Sequence, residues 1–107
     1  MKVSVILGSK SDSEVAKKVV EVFEKEGIPY DLKVLSAHRN PEELDEYIKK
    51  CESDVIIAIA GLSAALPGVI ASKTDKPVIL AIRDPLNRLP LRKYTHKVEE
   101  ESYVLAL

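Results

Sequence analysis

The 107 residues accommodate one domain with a core able to fold alone. Apolar residues make up 46% and charged residues 31%, with 16 Lys and Arg against 17 Asp and Glu, so a soluble globular protein without a nucleic-acid partner is expected, neither disordered nor membrane-embedded. The one cysteine excludes an internal disulfide, and the apolar opening breaks at Gly8, too short for a signal-peptide core or a spanning helix, which makes the cytoplasm the expected location.

Lys2 to Leu7 is a compact β-branched run and reads as a buried strand. Ser11 and Glu14 then stand three apart, the spacing at which a serine oxygen and a glutamate satisfy each other's free amides at a helix start. Val15, Ala16, Val19, Val20 and Phe23 share one face of the helix that follows, until Gly27 and Pro29 stop it. The unit recurs. Leu32 to Leu35 reads as a second strand, Asn40 and Glu43 as a second capping pair, and Pro41 occupies the first helical position, where a missing N–H costs nothing. Leu44, Tyr47, Ile48 and Cys51 form the apolar stripe, with acidic residues ahead of Lys49 and Lys50 as the helix dipole favours. Val55 to Ala60 and Pro77 to Ile82 are apolar throughout, like parallel strands buried on both faces, and Leu66 to Ser72 between them has room for a short helix. Beyond Arg83 the pattern breaks up. Asp84 to Pro90 reads as a loop, Lys93 to Glu101 as a charged stretch, either a solvated helix or a subunit contact, and Ser102 to Leu107 as a last strand.

Strand alternating with helix predicts an α/β fold: a three-layer sandwich of flavodoxin-like type, its parallel sheet covered by helices on both faces. Ligands of such sheets bind beyond the carboxyl ends of the strands, where the strand order reverses. Three loops lie at that end, Gly8 to Asp12, Ser36 to Pro41 and Gly61 to Gly68. The first combines a glycine, hydroxyls and a helix start, which suits an anion, while Asp12 suits sugar hydroxyls. Serines and aspartates in such places also serve as plain caps, His38 as a loop histidine, and Arg39 as a surface cation.

The ordered segments GSKSD, LSAHRNP and AIAGLSAALPGVIASKTDKPVI resemble the family of N5-carboxyaminoimidazole ribonucleotide mutases and aminoimidazole ribonucleotide carboxylases of purine biosynthesis, across roughly residues 1 to 82. The resemblance implies a single ribonucleotide-binding domain over 1–107. Its activity would move a carboxylate from an exocyclic nitrogen to ring carbon C4 with no ATP, cofactor or metal. It further implies that Ser9, Ser11 and Asp12 contact the ribose 5-phosphate portion, that Ser36 and Arg39 hold the phosphate, and that His38 is the catalytic histidine. Gly61, Leu62, Ser63 and Ala64 would enclose the base and transient carbon dioxide, and the chain would form a homo-oligomer. The carboxylase that uses free carbon dioxide, and a non-catalytic ribonucleotide-binding relative, are the alternatives. Ala65 stands where the family motif AAHLPG has histidine, Leu62 where a glycine is common, and residues 83–107 depart from the family's glycine-rich segment and last helix.

Other readings are weaker. With no Trp and one Phe the chain lacks aromatics to sandwich a flavin, and Asp54 begins a strand rather than ending one, as a phosphoacceptor aspartate would. His96 reads as a solvated residue and Cys51 as packing; no metal-ligand spacing is present.

Overall fold

All five residues of Val3–Leu7 are buried in the computed structural model of the protein, which describes residues 1–60, 65–83, 96–99 and 102–106. A strand with no exposed side chain needs cover on both faces. This one, β1, has it: Val3, Val5 and Leu7 pack with Ala16 and Phe23 of helix α1 (Ser13–Glu26), while Ile6 packs with Leu44 and Ile48 of α2 (Pro41–Lys50) and with Leu66 and Ile70 of α3 (Leu66–Ala71). The three layers expected from the alternating pattern are therefore one helix, the sheet, and two helices.

Strands β2 (Tyr30–Val34), β3 (Val55–Ala60) and β4 (Val78–Arg83) run parallel with β1 in the order β2-β1-β3-β4. The chain leaves β1 for β2 on one side and then crosses to β3 on the other, so the order reverses between β1 and β3. The final strand expected at 102–107 is present as β6 (Ser102–Ala106), antiparallel to β4. The charged stretch before it is not helical where it is described. His96–Glu99 forms β5, antiparallel to β6 with a bulge between Lys97 and Glu99, so pairing with a neighbouring strand supplies the backbone partners that a weakly periodic helix would have supplied locally. The predicted loop 84–90 lies outside the described residues.

Two helix ends test the local reading. Gly27 closes α1 at φ 68°, its N–H reaching Glu24 O at 3.4 Å while Ile28 N–H reaches Phe23 O at 2.9 Å. That pair of bonds and the left-handed backbone explain the glycine, because an L side chain is disfavoured at such a φ. The start of α1 differs from expectation. A 3-10 turn over Lys10–Asp12 intervenes, so α1 begins at Ser13 and Ser11 lies inside the turn; the capping serine is Ser9, whose Oγ accepts from Ser11 N–H at 3.2 Å. The inserted turn displaces the capping box that the Ser11–Glu14 spacing suggests.

Candidate active site

Backbone bonds draw the ends of β1, β2 and β3 together. Leu35 N–H donates to Leu7 O at 2.9 Å, and Gly8 N–H donates to Ile59 O at 3.1 Å, so the first loop leaves β1 pinned to the end of β3 and the second leaves beside it. A Cβ at Gly8 would meet Leu66 Cδ2 at 3.6 Å and Ile59 O at 3.8 Å, which is ordinary contact, and its φ is not left-handed. The fold itself thus tolerates a side chain there.

In the first loop the hydroxyls of Ser9 and Ser11 are 2.9 Å apart, forming one small polar face. Asp12 follows at the α1 N-cap, buried at 5% exposure, where the positive end of the helix dipole favours a carboxylate although it makes no cap bond.

The second loop is organised by Ser36. Its Oγ accepts from His38 N–H and Arg39 N–H, both at 3.2 Å, and its carbonyl accepts from Asn40 N–H at 3.0 Å. The side chains of His38 and Arg39 are exposed, and among the described residues neither has a hydrogen-bonding or ion-pair partner. Pro41 begins α2 as predicted, but the capping pair does not form: Asn40 makes no side-chain cap bond, and its Oδ1 turns back to accept from Ser36 N–H at 3.4 Å. Backbone at φ −127°, ψ 48° aims the amide into the loop instead of along the helix.

Of the third loop, Gly61, Leu62, Ser63 and Ala64 lie outside the described residues. Its flanks are Ala60, buried at the end of β3, and Ala65, exposed before α3, whose carbonyl accepts from Val69 N–H at 3.0 Å. Among the described residues no three metal-ligating side chains gather.

Two features escape the one-dimensional pattern. Asp45 of α2 bridges Lys49 at 2.8 Å and Lys73, just beyond α3, at 2.9 Å. Hydrogen bonds from these two lysines lower its carboxyl to about 2. The bridge to Lys73 ties together the two helices that the second and third loops lead into, across 28 residues of sequence and with no signal in it. At the opposite pole, the fully buried Ser4 Oγ meets Ser53 Oγ at 2.6 Å, Tyr47 OH at 3.0 Å and Cys51 Sγ at 3.2 Å. Burial raises the Cys51 thiol pKa, but hydrogen bonding with Ser4 and Ser53 outweighs it and leaves the thiol below its ordinary value. Cys51 therefore belongs to a polar cluster far from the loops, not to the apolar stripe its spacing suggests.

A family model for AIR carboxylase matches residues 2–86. The N5-carboxyaminoimidazole ribonucleotide mutase of Methanocaldococcus jannaschii is 49% identical over 77 residues, which is 72% of this chain and 49% of that protein. The mutase of Aquifex aeolicus is 54% identical over 80 residues, 72% of this chain and 48% of that protein. The chain thus spans about half the length of these curated relatives. Among solved structures, Treponema denticola PurE superposes with a TM-score of 0.69 at 30% identity, covering 78% of this chain and 55% of the other. A substituted form of PurE2 from the same organism superposes at 0.72 with 26% identity over the same shares.

Proposed function

Because this chain belongs to the AIR carboxylase family, we propose that it acts as an N5-carboxyaminoimidazole ribonucleotide mutase, moving a carboxylate from the exocyclic amino nitrogen of the imidazole to ring carbon C4 without ATP. The observation that carries this reading is the juxtaposition at the sheet's switch point. There the Ser9–Ser11 hydroxyl pair and the Ser36-pinned His38–Arg39 turn leave adjacent strand ends.

The proposed division of labour follows from donor and acceptor capacity. Ser36 Oγ spends both acceptor positions on the amides of His38 and Arg39, so its one O–H is left to donate to a phosphate oxygen. Arg39 adds a charge-assisted contact to the same group. Asp12 accepts from sugar hydroxyls. His38, as imidazolium, gives its proton to the exocyclic nitrogen as the nitrogen–carbon bond breaks and carbon dioxide departs. C4 then attacks the carbon dioxide, and the neutral imidazole takes the proton that C4 loses. One group serves both steps, because an imidazole can give a proton from one ring nitrogen and take one back at the same atom. Gly61, Leu62, Ser63 and Ala64 would enclose the base and keep water from the carbon dioxide between the two steps.

Ala65, where the family motif has histidine, favours a second reading, a relative that binds the ribonucleotide without turnover. Titration with aminoimidazole ribonucleotide and its carboxylated forms, then an assay for carboxylate migration without ATP, separates the two. Binding with migration supports the mutase, binding alone the second reading, and absence of binding refutes both.

We further propose that residues 1–107 act as one ribonucleotide-binding domain in the cytoplasm and assemble as a homo-oligomer. No helix among the described residues is long and apolar enough to cross a membrane. Leu32 and Val34 pair in register with Val5 and Leu7, on the α1 side of the sheet, yet are 45% and 46% exposed, which favours cover from another subunit. Light scattering at micromolar concentration should return a mass above 11.8 kDa, and the mass of one chain would refute the assembly.

A further inference from the structure

In the turn that carries His38 and Arg39, Ala37 packs against the core, but the side chains of His38 and Arg39 take no part in that packing. Both are exposed, and among the described residues neither side chain has a hydrogen-bonding partner. Their direction is set by the backbone, and beside the Ala37 contact that backbone is held by Ser36: two N–H groups, from His38 and Arg39, point inward at one oxygen. Ser36 is in turn held from both of its main-chain groups by one residue. Asn40 N–H donates to Ser36 O at 3.0 Å, and Asn40 Oδ1 accepts from Ser36 N–H at 3.4 Å. The second bond is the informative one. Asparagine at a helix start ordinarily gives its side chain to the first-turn amides, and here it gives that bond up.

We propose that Asn40 is a positioning residue, whose side-chain amide locks Ser36 and through it fixes the His38 and Arg39 backbone for the reaction proposed above. The proposal rests on that reaction for its kinetic consequence and on the hydrogen bonds alone for its geometry. A catalytic group displaced by about 1 Å loses up to about a hundredfold in rate, so a lock remote from the reacting atoms still registers in turnover.

Three variants separate this role from helix capping. Asn40→Ser is as good a helix cap as asparagine, but its oxygen is one bond too short to reach Ser36 N–H. Asn40→Ala has neither function, and Asn40→Asp keeps an acceptor oxygen at the asparagine's reach. Positioning predicts that Asn40→Ala and Asn40→Ser each lower kcat/KM for carboxylate migration about tenfold, mostly in kcat, and that Asn40→Asp restores most of the loss. Amide hydrogen exchange at Ser36, His38 and Arg39 should accelerate about tenfold in the first two variants and not in the third. Wild-type turnover and exchange in Asn40→Ser would overturn the proposal, as would losses that follow the melting temperature alone. If the unmodified protein shows no migration, the mutase reading fails, and the exchange measurement still decides whether Asn40 holds the turn.

Discussion

The buried hydroxyl pair of Ser4 and Ser53 should behave as a unit, and a double-mutant cycle measures it. Ser4 is 0% exposed, Ser53 is 1% exposed, and their oxygens are 2.6 Å apart. Ser53→Ala leaves Ser4 with Tyr47 and Cys51, so it should cost about 1 kcal/mol, the net value of one hydrogen bond. Ser4→Ala is worse. It removes the bonds to Tyr47, Cys51 and Ser53 together and leaves the Ser53 hydroxyl with only a weakly bonding thiol, for about 2–3 kcal/mol. Once both hydroxyls are gone there is no buried orphan, and the double variant should cost about 2 kcal/mol instead of the 3–4 kcal/mol expected by addition. The coupling of about 1–2 kcal/mol exceeds the ordinary error of such cycles. Urea unfolding of the four proteins at constant m-value supplies the numbers, and ribonucleotide binding should be unchanged because the cluster lies at the opposite pole from the loops. Additivity within about 0.5 kcal/mol would refute the reasoning.

His38→Asn should abolish migration while leaving ribonucleotide affinity within about tenfold, since it removes a proton carrier but no phosphate contact; wild-type turnover would exclude His38 as the acid–base group. Arg39→Ala should instead weaken binding about tenfold to a hundredfold, and an unchanged Kd would put Arg39 outside the site. Ala65 is exposed before α3, so Ala65→His has room and should raise turnover or tighten ligand binding, whereas a folded variant with no gain points to a site reshaped around alanine. Asp45 is held at about 2, below the ordinary carboxylate value of about 3.9, so its contribution is present above about pH 4 and is lost as the pH falls toward 2. Asp45→Asn should flatten the acid limb of the stability curve in that window, and an unchanged limb would remove the bridge from the account.

The elements other than β5 and the 3-10 turn were legible because each is written in a local period, whereas β5 lies in a charged stretch with almost none. Val55–Ala60 has no polar residue to expose and so becomes a strand between two others; Gly27 marks the left-handed end of α1; Pro41 marks a helix start. The site loops were legible for a related reason. In a βα unit the residues between strand and helix go to the same end of the sheet, which places Ser9, Ser11, Asp12, Ser36, His38 and Arg39 at one pole from chain order alone. What failed was the direction of single side chains. The sequence spacing that proposes Ser11 and Asn40 as caps is satisfied equally by a serine two residues earlier and by an amide turned backwards, and backbone conformation chooses between them: Ser9 caps from extended backbone at ψ 155°, whereas Asn40 sits at ψ 48°.

Chain order alone determined the alternation of strands and helices, and with it the layers and the pole of the candidate site, because hydrophobic period and turn chemistry act within single elements and the loops that bound them. Tertiary structure decided the rest. Strand order, the antiparallel addition of β5 and β6, the Asp45–Lys73 bridge and the cluster joining Ser4 to residues 43 to 49 positions away all depend on which surfaces pack together. Each needs long-range closure of the chain, whose cost is met by burial of the whole sheet and not by any local segment, so no short window of sequence carries the information.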